Sequence, residues 1–183
     1  MKEEEHGKRG KAVRESVSFI LYLIVIVVLT FLMIRYVGQR TRVDGSSMEN
    51  TLTNGDNLIV DKISYRFHEP ERFDIIVFPY QYKEDTYFIK RIIGMPGETV
   101  QITDKGEILI NGEELVESYG REVIKDPGLA SDPITLGEDE YFVMGDNRPY
   151  SKDSRYVGPV KKSQIFAKKM LVLLPISDIG VKD

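Results

Sequence analysis

The chain has 183 residues, carries 25 Lys and Arg against 29 Asp and Glu, and contains two His and no Cys. Without Cys there is no disulfide, thiolate metal site or cysteine nucleophile, and two His are too few for a typical zinc hydrolase. Residues 38–183 carry 19 Lys and Arg against 25 Asp and Glu, which is the wrong sign for a nucleic-acid surface, so nucleic acid is not an expected partner.

The first predicted element is a membrane span over residues 17–37. Its first eighteen positions, residues 17–34, carry no charge and as a helix would span roughly 27 Å, close to the thickness of a bilayer's hydrocarbon core. The run is longer than the apolar part of a cleavable secretory signal, and arginines rather than a small-residue cleavage site follow it. Apolar side chains surround the whole helix, which argues against a buried core helix. We therefore predict an uncleaved anchor.

The distribution of positive charge around this segment favours a cytoplasmic N-terminus. Five cations precede the span and three follow it: Lys2, Lys8, Arg9, Lys11 and Arg14, then Arg35, Arg40 and Arg42. The sequence therefore predicts a cytoplasmic leader over residues 1–16 and an extracytoplasmic domain over residues 40–183. This topology places His6 and His68 on opposite sides of the bilayer and makes lipid a partner of the chain.

Beyond residue 39 the pattern is one of short strands separated by turns. Apolar or alternating runs cover residues 57–60, 74–78, 86–93, 98–102, 108–110, 140–144 and 165–174. Residues 113–137 interrupt this rhythm, and we predict there a small inserted lobe or surface excursion. The expected fold class is one transmembrane helix followed by a mainly β domain.

A small-residue turn, Gly45-Ser46-Ser47-Met48, begins shortly after the predicted span. Ser47 is a candidate nucleophile, because Gly45 permits an unusual backbone angle and free amides in such a turn can point at a carbonyl oxygen. The same residues also fit a plain turn. A nucleophilic serine needs a base, and one candidate is His68, which lies in a polar loop before a proline.

Strand geometry makes Lys90 the better candidate base. Alternation along residues 87–93 places Lys90 on one face of the strand and Arg91 on the other, each among apolar neighbours. Burial disfavours an ammonium and can lower a lysine pKa until the neutral amine accepts a serine proton near pH 7. The alternative is that both cations reach solvent from an edge strand or pair with carboxylates.

A polar segment over residues 144–158 is the third candidate element. Its matched charges are Asp146 and Asp153, with Arg148 and Arg155. One interpretation is a turn held by side-chain hydrogen bonds and a surface ion pair. The other gives Ser151 a hydroxyl that orients Lys90, with Asp153 and Arg155 as a supporting ion pair.

Together these segments resemble the bacterial type I signal peptidases, membrane-anchored serine proteases that use a Ser-Lys dyad. Four motifs follow the anchor in the family's order: V-x-G-x-S-M-x-x-T-L at 43–52, G-D-x-x-x-V at 55–60, Y-x-x-K-R-x-x-G-x-P-G at 87–97 and G-D-N-x-x-x-S-x-D-S-R at 145–155. The resemblance covers nearly the whole chain.

The resemblance implies a role for each matching residue. Ser47 would be the nucleophile and Lys90 the general base, with Ser151 hydrogen-bonded to the lysine and Asp153 and Arg155 forming a structural pair. Shallow pockets would accept small side chains at the −1 and −3 positions of the substrate. The residues that would line these pockets are Val43, Met48, Leu52, Phe88 and Ile89.

The resemblance also implies an oxyanion hole, made by the Ser47 amide with help from the region of Gly45. One residue departs from the family pattern: members usually carry proline at the position of Asn50. Proline fixes one backbone torsion and restricts the residue before it. We therefore expect Asn50 to loosen this loop and to alter rate more than mechanism.

The implied function is removal of signal peptides from exported preproteins through an acyl-enzyme, by a monomer that needs no metal or organic cofactor. An apolar rim near the site is expected to touch lipid. A second hypothesis is self-cleavage, as in SOS-response repressors, which normally lack an anchor and carry a DNA-binding segment. A third is a non-catalytic anchored scaffold, which a Ser47–Lys90 separation above about 5 Å would support.

Overall fold

The computed structural model describes residues 2–81, 83, 86–120 and 122–174, in two compact units, Met1–Gly38 and Gln39–Asp183. In the first unit, helix α1 covers Lys2–Tyr36 and so begins within the charged leader. Its segment Arg14–Tyr36 is long and apolar enough to cross a membrane, by length and composition, and its side chains are exposed. A helix that buries no apolar stripe against protein is typical of one solvated by lipid.

The second unit is built from eleven strands in the described part of the chain. They are β1 Gly38–Arg42, β2 Asn57–Asp61, β3 Ile75–Pro79, β4 Tyr87–Gly94, β5 Thr99–Ile102, β6 Ile108–Ile110, β7 Glu113–Glu114, β8 Ile134–Thr135, β9 Glu140–Met144, β10 Val160–Lys161 and β11 Ala167–Leu174. A short helix, α2, covers Ser154–Val157, and single 3₁₀ turns cover Ser64–Arg66, Gly128–Ser131, Arg148–Tyr150 and Lys162–Gln164. The predicted fold class, a mainly β domain after an apolar helix, is confirmed.

These strands form two sheets. The larger has seven strands in the order β1-β2-β11-β3-β4-β9-β10, and the smaller has four in the order β7-β6-β5-β8. Strand β11 returns from the end of the described chain to pair with both β2 and β3, antiparallel to each. Strand β1 was not predicted, because its sequence, Gly-Gln-Arg-Thr-Arg, has no apolar alternation and it forms a sheet edge.

Strand β4 occupies the position that matters for the candidate residues. It pairs with β3 through Tyr87–Arg91, where Lys90 faces Ile76, and with β9 through Arg91–Gly94, where Arg91 faces Met144. The loop that follows β9 therefore begins beside Arg91. This register brings residues 145–155 to the part of β4 that carries Lys90.

Four apolar clusters among the described residues fix these elements, and one of them, Val60, Val77 and Ala167, joins β2, β3 and β11. The other three bear on the site. The smaller sheet packs on Ile93, Phe142 and Met144, and a second cluster on the larger sheet includes Ile76 and Ile92. The third cluster holds the segment that carries the candidate nucleophile, and its buried members are Val43, Met48, Leu52, Leu58 and Ile75. Neighbouring residues of β4 thus enter clusters on opposite faces, as strand alternation requires.

The segment predicted to be an excursion, residues 113–137, contributes β7 and β8 to the smaller sheet. It also buries Ile124, Ala130 and Leu136 in that sheet's cluster. Its description as an inserted lobe stays a prediction. What the structure adds is that this segment is packed into the domain.

Candidate active site

The candidate nucleophile Ser47 lies in a compact turn whose apolar side chains are anchored below it. Met48 is 2% exposed and Leu52 is fully buried, and the Leu52 amide donates to the Met48 carbonyl at 2.7 Å. Ser47 itself is half-buried. Burial of its neighbours holds the hydroxyl in place while leaving it accessible.

Lys90 Nζ lies 2.6 Å from Ser47 Oγ and donates a second hydrogen bond to the Ile89 carbonyl at 2.9 Å. The lysine is 3% exposed, and its Nζ is 4.9 Å from the centre of the Phe88 ring. Burial lowers the pKa of Lys90 from 10.5 to about 8, although the carboxylates of Asp153 and Asp146 oppose this shift. The amine is therefore placed and tuned to exchange a proton with the serine.

Ser151 does not make the hydrogen bond to Lys90 that the resemblance implied. Its side chain is buried, and within the described part of the chain Ser151 Oγ has no hydrogen-bond partner. It packs against Gly145, where a Cβ would overlap both Ser151 Oγ and the Ser47 carbonyl oxygen. Ser151 thus lies beside the main chain of Ser47, and the lysine's donors go to Ser47 and Ile89 instead.

Asp153 and Arg155 form the predicted ion pair, and both are buried. Nε and Nη2 of the arginine lie 2.9 Å from the two carboxylate oxygens. Asp153 also accepts the Gly145 amide at 3.1 Å and the Arg155 amide at the start of α2. The carboxylate therefore fastens both ends of the 145–155 segment.

A second buried ion pair, between Arg91 and Asp146, was not recognised from the sequence. The arginine donates to the two carboxylate oxygens at 2.9 and 2.8 Å, and Thr51 Oγ1 donates to the same carboxylate at 2.5 Å. Thr51 follows the Ser47 turn, so this triad ties that turn to β4. The matched charges of the polar segment hinted at ion pairs, but the partner of Asp146 is 55 positions away.

Asn147 is another residue whose place the sequence did not reveal. Its backbone amide donates to the Ser47 carbonyl at 3.1 Å, and its side-chain amide donates to the Ser46 carbonyl at 3.0 Å. The loop after β9 therefore holds the carbonyl groups of both Ser46 and Ser47. The motif G-D-N was visible, but this contact spans about a hundred residues.

The backbone around Ser47 supports only part of the expected oxyanion hole. Gly45 has a φ of +107°, a conformation that favours glycine, but its amide donates to Asn54 Oδ1 at 3.1 Å. The amide of Ser47 has no acceptor among the described residues. The Ser47 amide therefore remains available to a carbonyl oxygen.

A groove of about 530 Å³ runs past Ser47 and Lys90. Four of the five predicted pocket residues line it: Val43, Met48, Phe88 and Ile89. The prediction for Leu52 is wrong, because its side chain is fully buried beneath the turn and packs with Leu58 and Ile75. Tyr80 stacks on Phe88 with ring centres 4.3 Å apart and stiffens one wall of the groove.

His68, the alternative base, is exposed and is not among the described residues that line this groove. Among the described residues there is also no group of three or more His, Asp or Glu that could hold a metal ion. The only base in contact with Ser47 Oγ within the described part of the chain is Lys90.

The signal peptidase family, peptidase S26, matches residues 15–174 of the chain. A probable signal peptidase I-2 of Synechocystis sp. is 36% identical over 151 residues, which cover 80% of this chain and 67% of the relative. Signal peptidase I of Leptolyngbya laminosa is 39% identical over 152 residues, 79% of this chain and 73% of the relative. Signal peptidase I of Bacillus licheniformis is 34% identical over 191 aligned positions that cover both chains completely.

A solved structure of a signal peptidase I from Enterococcus faecalis V583 is 36% identical and covers 55% of this chain and 97% of its own, with a TM-score of 0.46. The sequence matches alone establish the relationship: the chain belongs to the signal peptidase family and is a signal peptidase I enzyme, a serine protease that removes signal peptides. With the apolar helix α1, this membership indicates that the chain is anchored to a membrane.

Replacement of Lys90 by Met is expected to stabilise the fold at neutral pH. Because the pKa of Lys90 is lowered to about 8 in the folded chain, the unfolded chain binds more protons from there up to the ordinary value of 10.5, and stability rises with pH across that window. At pH 7 the free energy of unfolding of Lys90→Met should exceed that of the parent by about 1–3 kcal/mol, and the difference should shrink toward pH 10. Denaturant unfolding at both pH values measures it.

Lys105→Met is the matched control, because Lys105 is exposed in a turn and its replacement should leave the pH dependence of stability unchanged. A Lys90→Met variant that is less stable than the parent at pH 7 would contradict the assignment of Lys90 as a destabilising buried amine.

Asn50→Pro is expected to destabilise the chain even though proline is usual in the family. The φ of Asn50 is +92°, which proline, fixed near −65°, cannot adopt. Forcing the change would move Thr51 away from Asp146, at a cost of about 2 kcal/mol or more. Thermal unfolding measures the loss; Asn50→Gly, which tolerates this φ, should stay close to the parent. A proline variant as stable as the parent would refute this explanation.

Proposed function

We propose that Ser47 is the nucleophile and Lys90 the general base of signal-peptide cleavage. The observation that carries this proposal is the 2.6 Å separation of Lys90 Nζ and Ser47 Oγ in a site where the lysine is 3% exposed. A general base must lie within hydrogen-bonding reach of the proton it removes and have a pKa near the working pH. The separation is also far below the 5 Å that would have favoured a scaffold.

The chemistry then follows in balanced steps. The neutral amine of Lys90 accepts the Ser47 hydroxyl proton as Oγ bonds to the scissile carbonyl carbon, and the Ser47 amide stabilises the developing oxyanion. The resulting ammonium gives its proton to the leaving amine, which leaves an ester on Ser47. The amine of Lys90 next takes a proton from a water whose oxygen attacks the ester carbon. The bond between that carbon and Oγ then breaks, and the ammonium returns its proton to Ser47 Oγ as the acid is released, which regenerates both groups.

The open edge of β4 supports the proposed mode of substrate binding. The described pairings of β4 with β9 begin at Arg91, so Tyr87–Lys90 pair only with β3. An extended preprotein segment can add as a strand along this edge, directly beside Lys90. Small residues at −1 and −3 would then enter the groove lined by Val43, Met48, Phe88 and Ile89.

The charge bias around α1 supports a cytoplasmic N-terminus and an extracytoplasmic catalytic domain. In this arrangement only nine residues, 38–46, separate the span from Ser47, which would keep the site close to the outer face of the membrane, where signal peptides emerge. Every group in the proposed steps comes from one chain, which supports action as a monomer. Lipid is the expected second partner, and the acidic domain is not expected to bind nucleic acid.

Replacement of Ser47 or Lys90 by Ala is expected to lower the cleavage rate of a preprotein with alanines at −3 and −1 by about 10³-fold or more, since the two groups act as a unit. Gel-based processing by the full chain in detergent measures this. Ser163→Ala and Lys105→Ala, both at exposed positions, are the matched controls. Retention of cleavage by either Ser47→Ala or Lys90→Ala would exclude the dyad.

The pH dependence of kcat/KM should report the proton on Lys90. The neutral amine is the active form, and the pKa of Lys90 is lowered to about 8 by burial, so kcat/KM should fall about tenfold per pH unit below that value. A profile that stays flat down to pH 6 would be incompatible with a lysine base.

A further inference from the structure

Residues 117–120, within the segment predicted to be an excursion, make contacts that none of the signature motifs accounts for. We call this segment the clamp. Its Tyr119 ring lies on the guanidinium of buried Arg91, with 3.6 Å between Arg91 Cζ and the ring centre. Phe73 packs on the same ring at 5.1 Å. The guanidinium is thus held in its plane by a ring on one face.

The clamp also holds the loop that follows β9. Glu117 Oε1 lies 2.8 Å from Arg148 Nη2, an ion pair without hydrogen-bond alignment. Arg148 in turn donates to the Gly145 carbonyl at 3.0 Å. Gly120 allows this arginine to pack flat, since a Cβ there would lie 2.9 Å from Arg148 Cζ. Two buried arginines, one on β4 and one in the loop after β9, therefore contact the clamp.

Arg91 orients the carboxylate of Asp146, which acts on both Lys90 and the Ser47 turn. It holds both oxygens of Asp146, and that carboxylate also receives Thr51 from the Ser47 turn. The charge of Asp146 acts on Lys90 and favours the protonated amine. Pairing with Arg91 offsets part of that charge. A displaced guanidinium would leave the carboxylate more negative toward the lysine and would loosen the turn.

On these contacts we propose that Tyr119 is a positioning residue for the catalytic base, acting through Arg91 and Asp146. This inference rests on the proposed dyad. The ring fixes the guanidinium, the guanidinium fixes the carboxylate, and the carboxylate in turn sets the field at Lys90 Nζ. The clamp thereby connects the smaller sheet's segment to the reaction without touching substrate.

Several charged and titratable groups among the described residues surround Lys90, and each could alter its pKa. They are the carboxylates of Asp146 and Asp153, their partners Arg91 and Arg155, and the groove residues Asp44, Arg42, Lys83, Lys152, Tyr87 and Tyr150. Tyr119 contacts only Arg91 among these. Its replacement should therefore act through the Arg91–Asp146 pair.

The test compares pH profiles of kcat/KM for the full chain, Tyr119→Leu, Tyr119→Phe and, as an exposed aromatic control, Phe67→Leu. Tyr119→Leu should be about three- to tenfold slower at pH 7, with its acid limb moved to higher pH. The deficit should close near pH 10, where the amine is neutral in both proteins. Tyr119→Phe keeps the ring and should restore the parent profile, and Phe67→Leu should match it throughout.

An unchanged acid limb in Tyr119→Leu, or a deficit of equal size at every pH, would overturn the positioning role. Tyr119→Met provides a second non-aromatic variant, and loss of cooperative thermal unfolding in both would assign the ring to stability alone, which also overturns the inference. Failure of the parent to cleave, or cleavage by Ser47→Ala or Lys90→Ala, would instead count against the proposed dyad and not against the role of Tyr119.

Discussion

The site depends on the contact between the Lys90 amine and the Ser47 hydroxyl, in surroundings that largely exclude water from the lysine. Lys90 is nearly fully buried and lies 2.6 Å from Ser47 Oγ. Neither group alone would react: an exposed lysine stays protonated and a lone serine is a weak nucleophile. Removing the lysine from water lowers its pKa, and that same burial costs folding free energy. The remainder of the domain holds this unfavourable arrangement together.

Two buried ion pairs hold it, and they also limit how far the pKa of Lys90 falls. Arg91–Asp146 joins β4 to the Ser47 turn, and Asp153–Arg155 closes the loop after β9. Both carboxylates favour the ammonium, against the effect of burial. The pairs therefore rigidify the site and keep the pKa of Lys90 near 8, where the amine can both accept and release a proton.

Local sequence patterns predicted much of this fold. Alternation identified the main strands and separated Lys90 from Arg91 across β4, and the motif order pointed to Ser47 and its family. Contacts between distant segments were beyond local patterns: the insertion of β11 between β2 and β3, the partner of Asp146, and the position of Asn147. Leu52 was assigned to the pocket by the family resemblance, but in this chain its side chain is buried beneath the turn. The φ of Asn50 shows why proline can be absent there.

Lys90 is a buried amine whose pKa lies well below the ordinary lysine value. Direct titration tests it: NMR of lysines labelled with ¹³C at Cε in the full chain in detergent micelles, with the Lys90 signal assigned by its loss in Lys90→Arg. We expect a transition near pH 8. A transition near 10.5, the ordinary value, would contradict it, because Lys90 would then be protonated at any pH where a preprotein is processed.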